Sequence, residues 1–127
     1  MKANPLISVY ITNFNYGKFI REAIESVLNQ TCQDLELIII DDGSTDDSKE
    51  IIESYSSLER IRVIFQKNKG LNVTNNIAMR LAHGKYIVRL DADDFFHNDA
   101  LEKMSSKLEL DDALGLVFPD YFLIDAK

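Results

Sequence analysis

Two acidic stretches carry the residue types with the clearest chemical potential, and the first is RLDADD at residues 89–94. It places Asp91, Asp93 and Asp94 within four positions, directly after a run of strand-forming residues. Like charges this close repel one another, and burial would make each ionised carboxylate costlier still. A bound cation, helix N-terminal amides or solvent could offset that cost. Carboxylates without nitrogen or sulfur ligands suit Mg²⁺ or Mn²⁺, which proteins often hold together with substrate phosphates.

The second acidic stretch is DDGSTDDS at residues 41–48. Gly43 permits a tight turn, and Ser44 to Asp47 suit the start of a helix, with Ser44 or Thr45 as its cap. This local interpretation leaves Asp41 and Asp42 unexplained, because both precede the turn. A similar interpretation of DADD, with Asp94 or Asn98 as a simple turn or cap residue, stays open beside the metal site.

Aromatic and polar residues alternate in a third stretch, ITNFNYGKF at residues 11–19. Two interpretations stay open here. In one, Asn13 and Asn15 bond the local backbone while Phe14 and Tyr16 pack in the core. In the other, an aromatic face and short polar groups hold a nucleotide base.

Five short runs rich in Ile and Val must position these loops, at residues 6–12, 35–41, 60–66, 85–91 and 114–119. Near-continuous apolar runs are typical of parallel strands covered on both faces, and helical patterns lie between them. We therefore predict one α/β domain over residues 1–127, with a three-layer α/β/α architecture and a mostly parallel, Rossmann-like sheet. Ligands bind outside the carboxyl ends of such strands, where residues 13–17, 41–44 and 91–94 would meet.

Composition and absent motifs narrow the function. A net charge of −7 in 127 residues and a pI of about 4.7 argue against a partner that is nucleic acid or an anionic membrane. Cys32 is the single cysteine, which fits a reducing, cytoplasmic location. No apolar run approaches the roughly 20 residues of a transmembrane segment. The absence of GxxxxGK[ST], GxGxxG and GxSxG disfavours P-loop NTPases, dinucleotide-binding domains and serine hydrolases.

The ordered set of motifs resembles the family 2 glycosyltransferases, inverting enzymes with a GT-A fold that use nucleotide-diphosphate sugars. The matching segments run from about residue 5 to residue 99: PLISVYITNFN, AIESVLNQT, LELIIIDDGSTDDS, NKGLNVTNNIA and HGKYIVRLDADD. The resemblance implies metal-assisted transfer of a sugar from a UDP-sugar to an acceptor hydroxyl, in polysaccharide or glycoconjugate synthesis. The implied acceptor is a glycan or a lipid-linked molecule, so membrane association of a longer parent protein stays open.

The resemblance also implies roles for five residues. Thr12 and Phe14 match positions that wall the nucleotide base and ribose, and Asp42 matches the carboxylate that hydrogen-bonds the base. Asp91 is expected near the ribose or the metal's waters. Asp93 is the expected direct ligand of a divalent cation, Mn²⁺ or Mg²⁺, that bridges the diphosphate.

Two departures from the family pattern matter. Asn75 stands where relatives commonly carry an arginine that reaches toward the nucleotide, so either a lysine such as Lys69 replaces that charge or the phosphate contact is weaker. The sequence assigns no catalytic base, because that residue usually lies in a second, acceptor-binding half and nothing after Tyr121 supplies it.

The chain's last run, residues 120–127, begins what looks like another strand, so we expect a C-terminally truncated piece of a longer protein. Two alternative functions remain. One is a nucleotide-sugar-binding module without turnover. The other is a sugar-phosphate nucleotidyltransferase, which would want a Gly-rich basic loop after the first strand, unlike ITNFNYGKF.

Overall fold

A four-stranded parallel sheet forms the centre of the protein. The computed structural model describes residues 4–124. Strands and helices alternate along this range, as the apolar patterns predict. The elements are β1 (Ile7–Asn13), α1 (Gly17–Leu28), β2 (Leu35–Asp41), α2 (Ser48–Glu53), β3 (Ile61–Phe65), α3 (Leu71–Leu81), β4 (Tyr86–Asp91) and α4 (Ala100–Leu110).

The strand order places β1 at a topological switch point. The order across the sheet is β3-β2-β1-β4, and every neighbouring pair is parallel. From β1 the chain moves outward through β2 to β3, then returns to place β4 on the opposite side of β1. The strand order therefore reverses beside β1, which is where open α/β sheets bind ligands at their carboxyl edge.

Helices cover both faces of the sheet and confirm the three-layer α/β/α architecture. The larger core cluster joins one face of the sheet to α1, α2 and α4, and the smaller cluster joins the other face to α3. Ile20, Ile24 and Val27 of α1 are fully buried in the larger cluster. Burial of each such side chain contributes roughly 1.5–3 kcal/mol relative to exposure. Within residues 4–124, no helix combines the length and apolar character needed to cross a membrane.

The predicted strand at residues 114–119 does not form. Residues 112–124 adopt neither helix nor strand, and Leu116 and Phe118 are 76% and 81% exposed. A strand requires a neighbour for its backbone hydrogen bonds, and no described strand pairs with this run. The prediction was therefore wrong because apolar composition alone does not supply a ladder partner. Of the further strand predicted at residues 120–127, residues 120–124 are also irregular, and residues 125–127 lie outside the described range.

Candidate functional site

A cleft of about 490 Å³ lies at the carboxyl edge of the sheet, beside the switch point. The segments that follow all four strands contribute to its lining. Thr12, Phe14, Asp42, Asp91 and Asp93, the five residues that the sequence singles out, all line this cleft. The fold thus brings together residues separated by up to 81 positions, while their individual roles stay predictions.

Two aromatic rings form part of the cleft wall after β1. Phe14 and Tyr16 both line the cleft and are 46% and 43% exposed. The interpretation that both rings pack in the core is therefore wrong. Tyr16 contacts Phe19 of α1 in a tilted arrangement, with ring centroids 6.3 Å apart. Exposed aromatic faces at a cleft can stack against a flat ligand ring.

Asn15 fastens the loop after β1 to the loop after β2. Its backbone is left-handed, with φ of 58°, a conformation that asparagine tolerates better than most residues. The Asn15 Oδ1 accepts hydrogen bonds from the backbone N–H groups of Thr45 (2.7 Å) and Asp46 (3.3 Å). The Asn15 N–H donates to Ser44 Oγ at 2.9 Å. Asn15 therefore bonds a neighbouring loop rather than its own backbone.

Asp41 is a buried structural carboxylate. It is 3% exposed, and its Oδ1 accepts hydrogen bonds from Asn13 Nδ2 (2.8 Å) and Ser44 Oγ (2.6 Å). Its Oδ2 accepts the Ser44 N–H at 3.0 Å. These bonds satisfy the buried charge and close the turn at Gly43, whose φ is 83°.

Asp46, which precedes α2, joins two loops, and neither Ser44 nor Thr45 caps the helix. The helix begins at Ser48 after Asp47, without a side-chain cap bond at Asp47. Asp46 accepts the N–H groups of Gly17 and Ser48, each at 2.9 Å. Burial raises the pKa of the Asp46 carboxyl, but these hydrogen bonds outweigh it and hold the pKa below its usual value. The prediction of Ser44 or Thr45 as the cap was wrong, because the Ser44 and Thr45 hydroxyls donate to Asp41 and Asn15, and it is Asp46 that accepts the first N–H of the helix.

Asp42 anchors the opposite wall of the cleft, which is the loop between β3 and α3. Its Oδ1 accepts the Lys69 N–H (2.7 Å) and Gln66 Nε2 (3.0 Å), and its Oδ2 accepts the Gly70 N–H at 3.0 Å. Asp42 is 6% exposed. A carboxylate has about four acceptor positions, so three such bonds leave one for a ligand. The sequence did not reveal this anchoring role, although a glycine directly before a helix, Gly70, signals a tight turn there.

Three carboxylates cluster where β4 ends. Asp91, Asp93 and Asp94 are exposed, and each offers an oxygen within 4.8 Å of the others. Burial, followed by the nearby charges of Asp93 and Asp91, raises the pKa of the Asp94 carboxyl above its usual value. A cation would relieve this repulsion, and the oxygen-only donor set fits Mg²⁺ or Mn²⁺.

Of the turn and cap roles predicted for Asp94 and Asn98, the structure shows the turn and not the cap. The Asp94 N–H closes a turn onto the Asp91 carbonyl at 3.0 Å, which uses the backbone and leaves its carboxylate free for other contacts. Helix α4 begins at Ala100 after Asp99, so the prediction of Asn98 as its cap was wrong. The turn therefore exposes the three carboxylates at the end of β4. A helix-capping role does not explain why they cluster there.

The positive charge at the cleft comes from a residue that the sequence did not single out as a ligand. Arg89 lines the cleft and forms an ion pair from Nε to Asp91 Oδ1 at 3.2 Å. Lys69, the expected substitute for a family arginine, contributes its backbone N–H to Asp42, and its side chain is not part of the lining. Asn75 of α3 likewise lies outside the lining. The available signal for Arg89 was its position on the same strand as Asp91, two residues earlier, which places both side chains on one face.

Comparison with known sequences gives a consistent family match. The model of glycosyl transferase family 2 matches residues 8–123. Chondroitin synthase of Escherichia coli is 46% identical over 119 residues, which cover 93% of this chain and 17% of that protein. The chain thus spans about a sixth of the length of this relative.

Solved structures share the fold at lower identity. Staphylococcus aureus TarS 1–349 in complex with UDP-GlcNAc superimposes with a TM-score of 0.77 at 23% identity, covering 90% of this chain and 37% of that one. A Pyrobaculum calidifontis mannosyltransferase in complex with GDP-Man and Mn²⁺ gives a TM-score of 0.75 at 22% identity, covering 84% and 33%. These similarities confirm the GT-A type of fold.

Proposed function

The chain belongs to glycosyl transferase family 2, and on that premise we propose that its cleft binds the nucleotide-diphosphate part of a UDP-sugar. The protein to which the chain belongs transfers the sugar, with inversion, to an acceptor hydroxyl. One observation supports this proposal: residues from three separate segments line one cleft at the switch point. They are Thr12, Phe14, Asp42, Asp91 and Asp93.

The nucleoside end lies against the β1 side of the cleft. Phe14 offers an exposed ring for the base and ribose, and Thr12 lies beside it at the end of β1. Asp42 uses its remaining acceptor position for a ring N–H of the base. Uracil provides such a donor, and the TarS structure with UDP-GlcNAc supports a uridine nucleotide.

The diphosphate lies toward the end of β4. Asp93 would be the direct ligand of a divalent cation there, and Asp91 would lie near the ribose or the metal's waters; their carboxylate oxygens lie within 4.8 Å of each other. When bound, Mn²⁺ or Mg²⁺ neutralises charge that develops on the leaving diphosphate. The Mn²⁺ complex of the mannosyltransferase supports this choice of ion class.

The acceptor is a glycan or lipid-linked hydroxyl in polysaccharide or glycoconjugate synthesis. The name of the E. coli relative, chondroitin synthase, supports a polysaccharide product. No catalytic base is assigned to any residue of this chain.

Calorimetric titration of UDP and UDP-GlcNAc, with GDP as the competing nucleotide, tests the proposal. We expect binding in Mn²⁺, weaker binding in EDTA, and at least tenfold lower affinity after Asp93→Asn, because a ligand carboxylate is lost. The matched control is Asp112→Asn, the same change at an exposed residue outside the cleft lining.

Equal affinity of wild type and Asp93→Asn for UDP would remove Asp93 from the metal site. Failure of the folded wild type to bind any nucleotide would overturn the donor-binding proposal itself. Binding of UDP-GlcNAc without transfer would restrict this chain to donor binding.

A further inference from the structure

The cleft carries an excess of negative charge, which is the same sign as the charge of its proposed ligand. Asp42, Asp91 and Asp93 contribute three carboxylates to the lining, and the chain as a whole carries a net charge of −7. A nucleoside diphosphate is also an anion. One divalent cation balances only part of this charge, so binding requires a further positive group.

Arg89 is the single cationic side chain among the described residues that line the cleft. The register of the sheet pairs Arg89 with Tyr10 of β1 and pairs Asp91 with Thr12. Residues two apart on a strand lie on the same face. The guanidinium and the Asp91 carboxylate therefore project beside each other, and Thr12 is the nearest strand neighbour of Asp91.

The Arg89–Asp91 ion pair is suited to exchange. Its Nε–Oδ1 distance is 3.2 Å, and the two side chains are 40% and 49% exposed. Exposed pairs of this kind contribute only about 0–1 kcal/mol. The pair engages Nε, whereas the guanidinium offers five N–H groups in a planar fork that matches phosphate oxygens.

We propose that Arg89 is a diphosphate-binding residue that exchanges partners when the donor arrives. In the free protein it neutralises Asp91. With metal and nucleotide bound, Asp91 would face the cation's waters, and the Arg89 guanidinium would pair with an oxygen of the diphosphate. This inference rests on the proposed function, because it names a further residue of the same donor site.

Arg89→Gln tests the exchange through three ligands: Mn²⁺ alone, uridine, and UDP with Mn²⁺. We expect Mn²⁺ to bind the variant at least as tightly as it binds wild type, because Arg89 no longer competes for Asp91. Uridine affinity stays unchanged. UDP affinity falls about tenfold to a hundredfold, the range for loss of a hydrogen bond to a charged group.

The matched control is Arg62→Gln, a strand arginine on β3 outside the cleft lining, which leaves all three affinities unchanged. Arg89→Lys keeps the charge but loses the fork, so we expect an intermediate UDP affinity. Equal thermal midpoints of the variants and wild type show that each one folds. If Arg89→Gln does not fold, Arg89→Lys carries the comparison of UDP with uridine.

Asp91→Asn supplies an independent measurement in EDTA. Because Arg89 is freed and one negative charge is removed, we expect metal-free UDP to bind this variant more tightly than wild type. The part of the gain that Arg89 supplies is lost in the double variant, so Arg89→Gln/Asp91→Asn should gain less over Arg89→Gln than Asp91→Asn gains over wild type.

The outcomes separate the two proposals. If wild type binds UDP and Arg89→Gln binds it equally well, the inference is wrong and the donor site stands. If Arg89→Gln loses uridine and UDP to the same extent, the arginine acts on the cleft as a whole, which also overturns the exchange. If folded wild type binds no UDP, the proposed function fails, and the inference fails with it.

Discussion

At Asp42 one carboxylate connects two walls of the cleft. It lines the cleft itself, and it accepts the Lys69 and Gly70 N–H groups of the opposite loop. We expect Asp42→Asn to loosen that loop even without nucleotide, because the amide nitrogen would face a backbone donor. A buried donor left unsatisfied costs about 1–3 kcal/mol. Hydrogen exchange of the Lys69 and Gly70 amides, measured in the nucleotide-free protein, should therefore accelerate about fivefold or more.

The control for this experiment is Asp93→Asn, the same change at an exposed carboxylate of the cleft. It should leave exchange at Lys69 and Gly70 unaffected. If Asp42→Asn leaves these two amides as protected as in wild type, Asp42 does not hold the loop, and its contribution would be limited to ligand contact.

Single residues also mark the limit of sequence reasoning about the site. The resemblance to the family singled out Thr12, Phe14, Asp42, Asp91 and Asp93, while strand order alone predicts that residues 13–17, 41–44 and 91–94 meet at one edge of the sheet. The partners of Asp46 and Asn15 were missed, because they depend on how two loops approach each other in space. Local patterns suggest caps and turns, and they carry no information on such contacts.

At the scale of elements, three glycines allow the cost of backbone conformation to be separated from the cost of crowding. Gly43 has φ of 83°, and a Cβ there would lie 2.8 Å from the Asn68 backbone N. Gly70 has φ of 88° with open space around it, and Gly115 has neither constraint. Gly43 thus lets the loop after β2 approach the loop after β3.

We predict that alanine substitution destabilises the protein in the order Gly43, Gly70, Gly115. An alanine held at this positive φ costs roughly 1–3 kcal/mol, and overpacking adds about 1–3 kcal/mol at Gly43. Gly115→Ala should change the free energy of unfolding by less than about 0.5 kcal/mol. Urea denaturation measures all three values. If alanine lowers the free energy of unfolding equally at Gly43 and Gly70, the contact with the Asn68 backbone adds no measurable destabilisation.

The elements themselves were predicted well where burial is two-sided. Strands β1 and β2 form from continuous apolar runs because they lie at the centre of the sheet with helices on both faces. Residues 114–119 have a similar composition but no described ladder partner, so the same pattern failed there. Composition predicts the ability to form a strand, and pairing decides whether the strand forms.

At the scale of the whole molecule, the two edges of the sheet have different tasks. The carboxyl edge presents the acidic cleft. At the amino edge, Glu36 of β2 accepts Ser8 Oγ of β1 and the His83 N–H ahead of β4, both at 2.6 Å. The Glu36 carboxylate thus links β2 to β1 and to the segment that leads into β4. This edge of the sheet lies opposite the cleft. Acid should therefore weaken the fold through a group that does not belong to the site.

The sign of this effect follows from the pKa of Glu36. Burial raises that pKa, but the hydrogen bonds from Ser8 and His83 outweigh burial and leave it below its usual value. A carboxyl with a lower pKa in the folded chain stabilises the fold above its unfolded pKa of about 4.3. That stabilisation is lost as the pH falls through the folded value. The relevant window therefore begins near pH 5 and extends downward.

We predict that Glu36→Gln is less stable than wild type at pH 7 by about 1 kcal/mol, because one charged acceptor becomes a neutral amide. The difference should shrink as the pH falls from 5 toward 3, because wild-type Glu36 loses its charge as the pH falls through its folded-state pKa. Urea denaturation at both pH values gives the two differences, and Glu59→Gln, at an exposed residue, is the control. If the difference in stability between Glu36→Gln and wild type is as large at pH 3 as at pH 7, the packing of the Glu36 side chain, and not its charge, stabilises the fold. Because this carboxylate lies at the edge opposite the cleft, nucleotide affinity at pH 7 should be the same in Glu36→Gln and wild type.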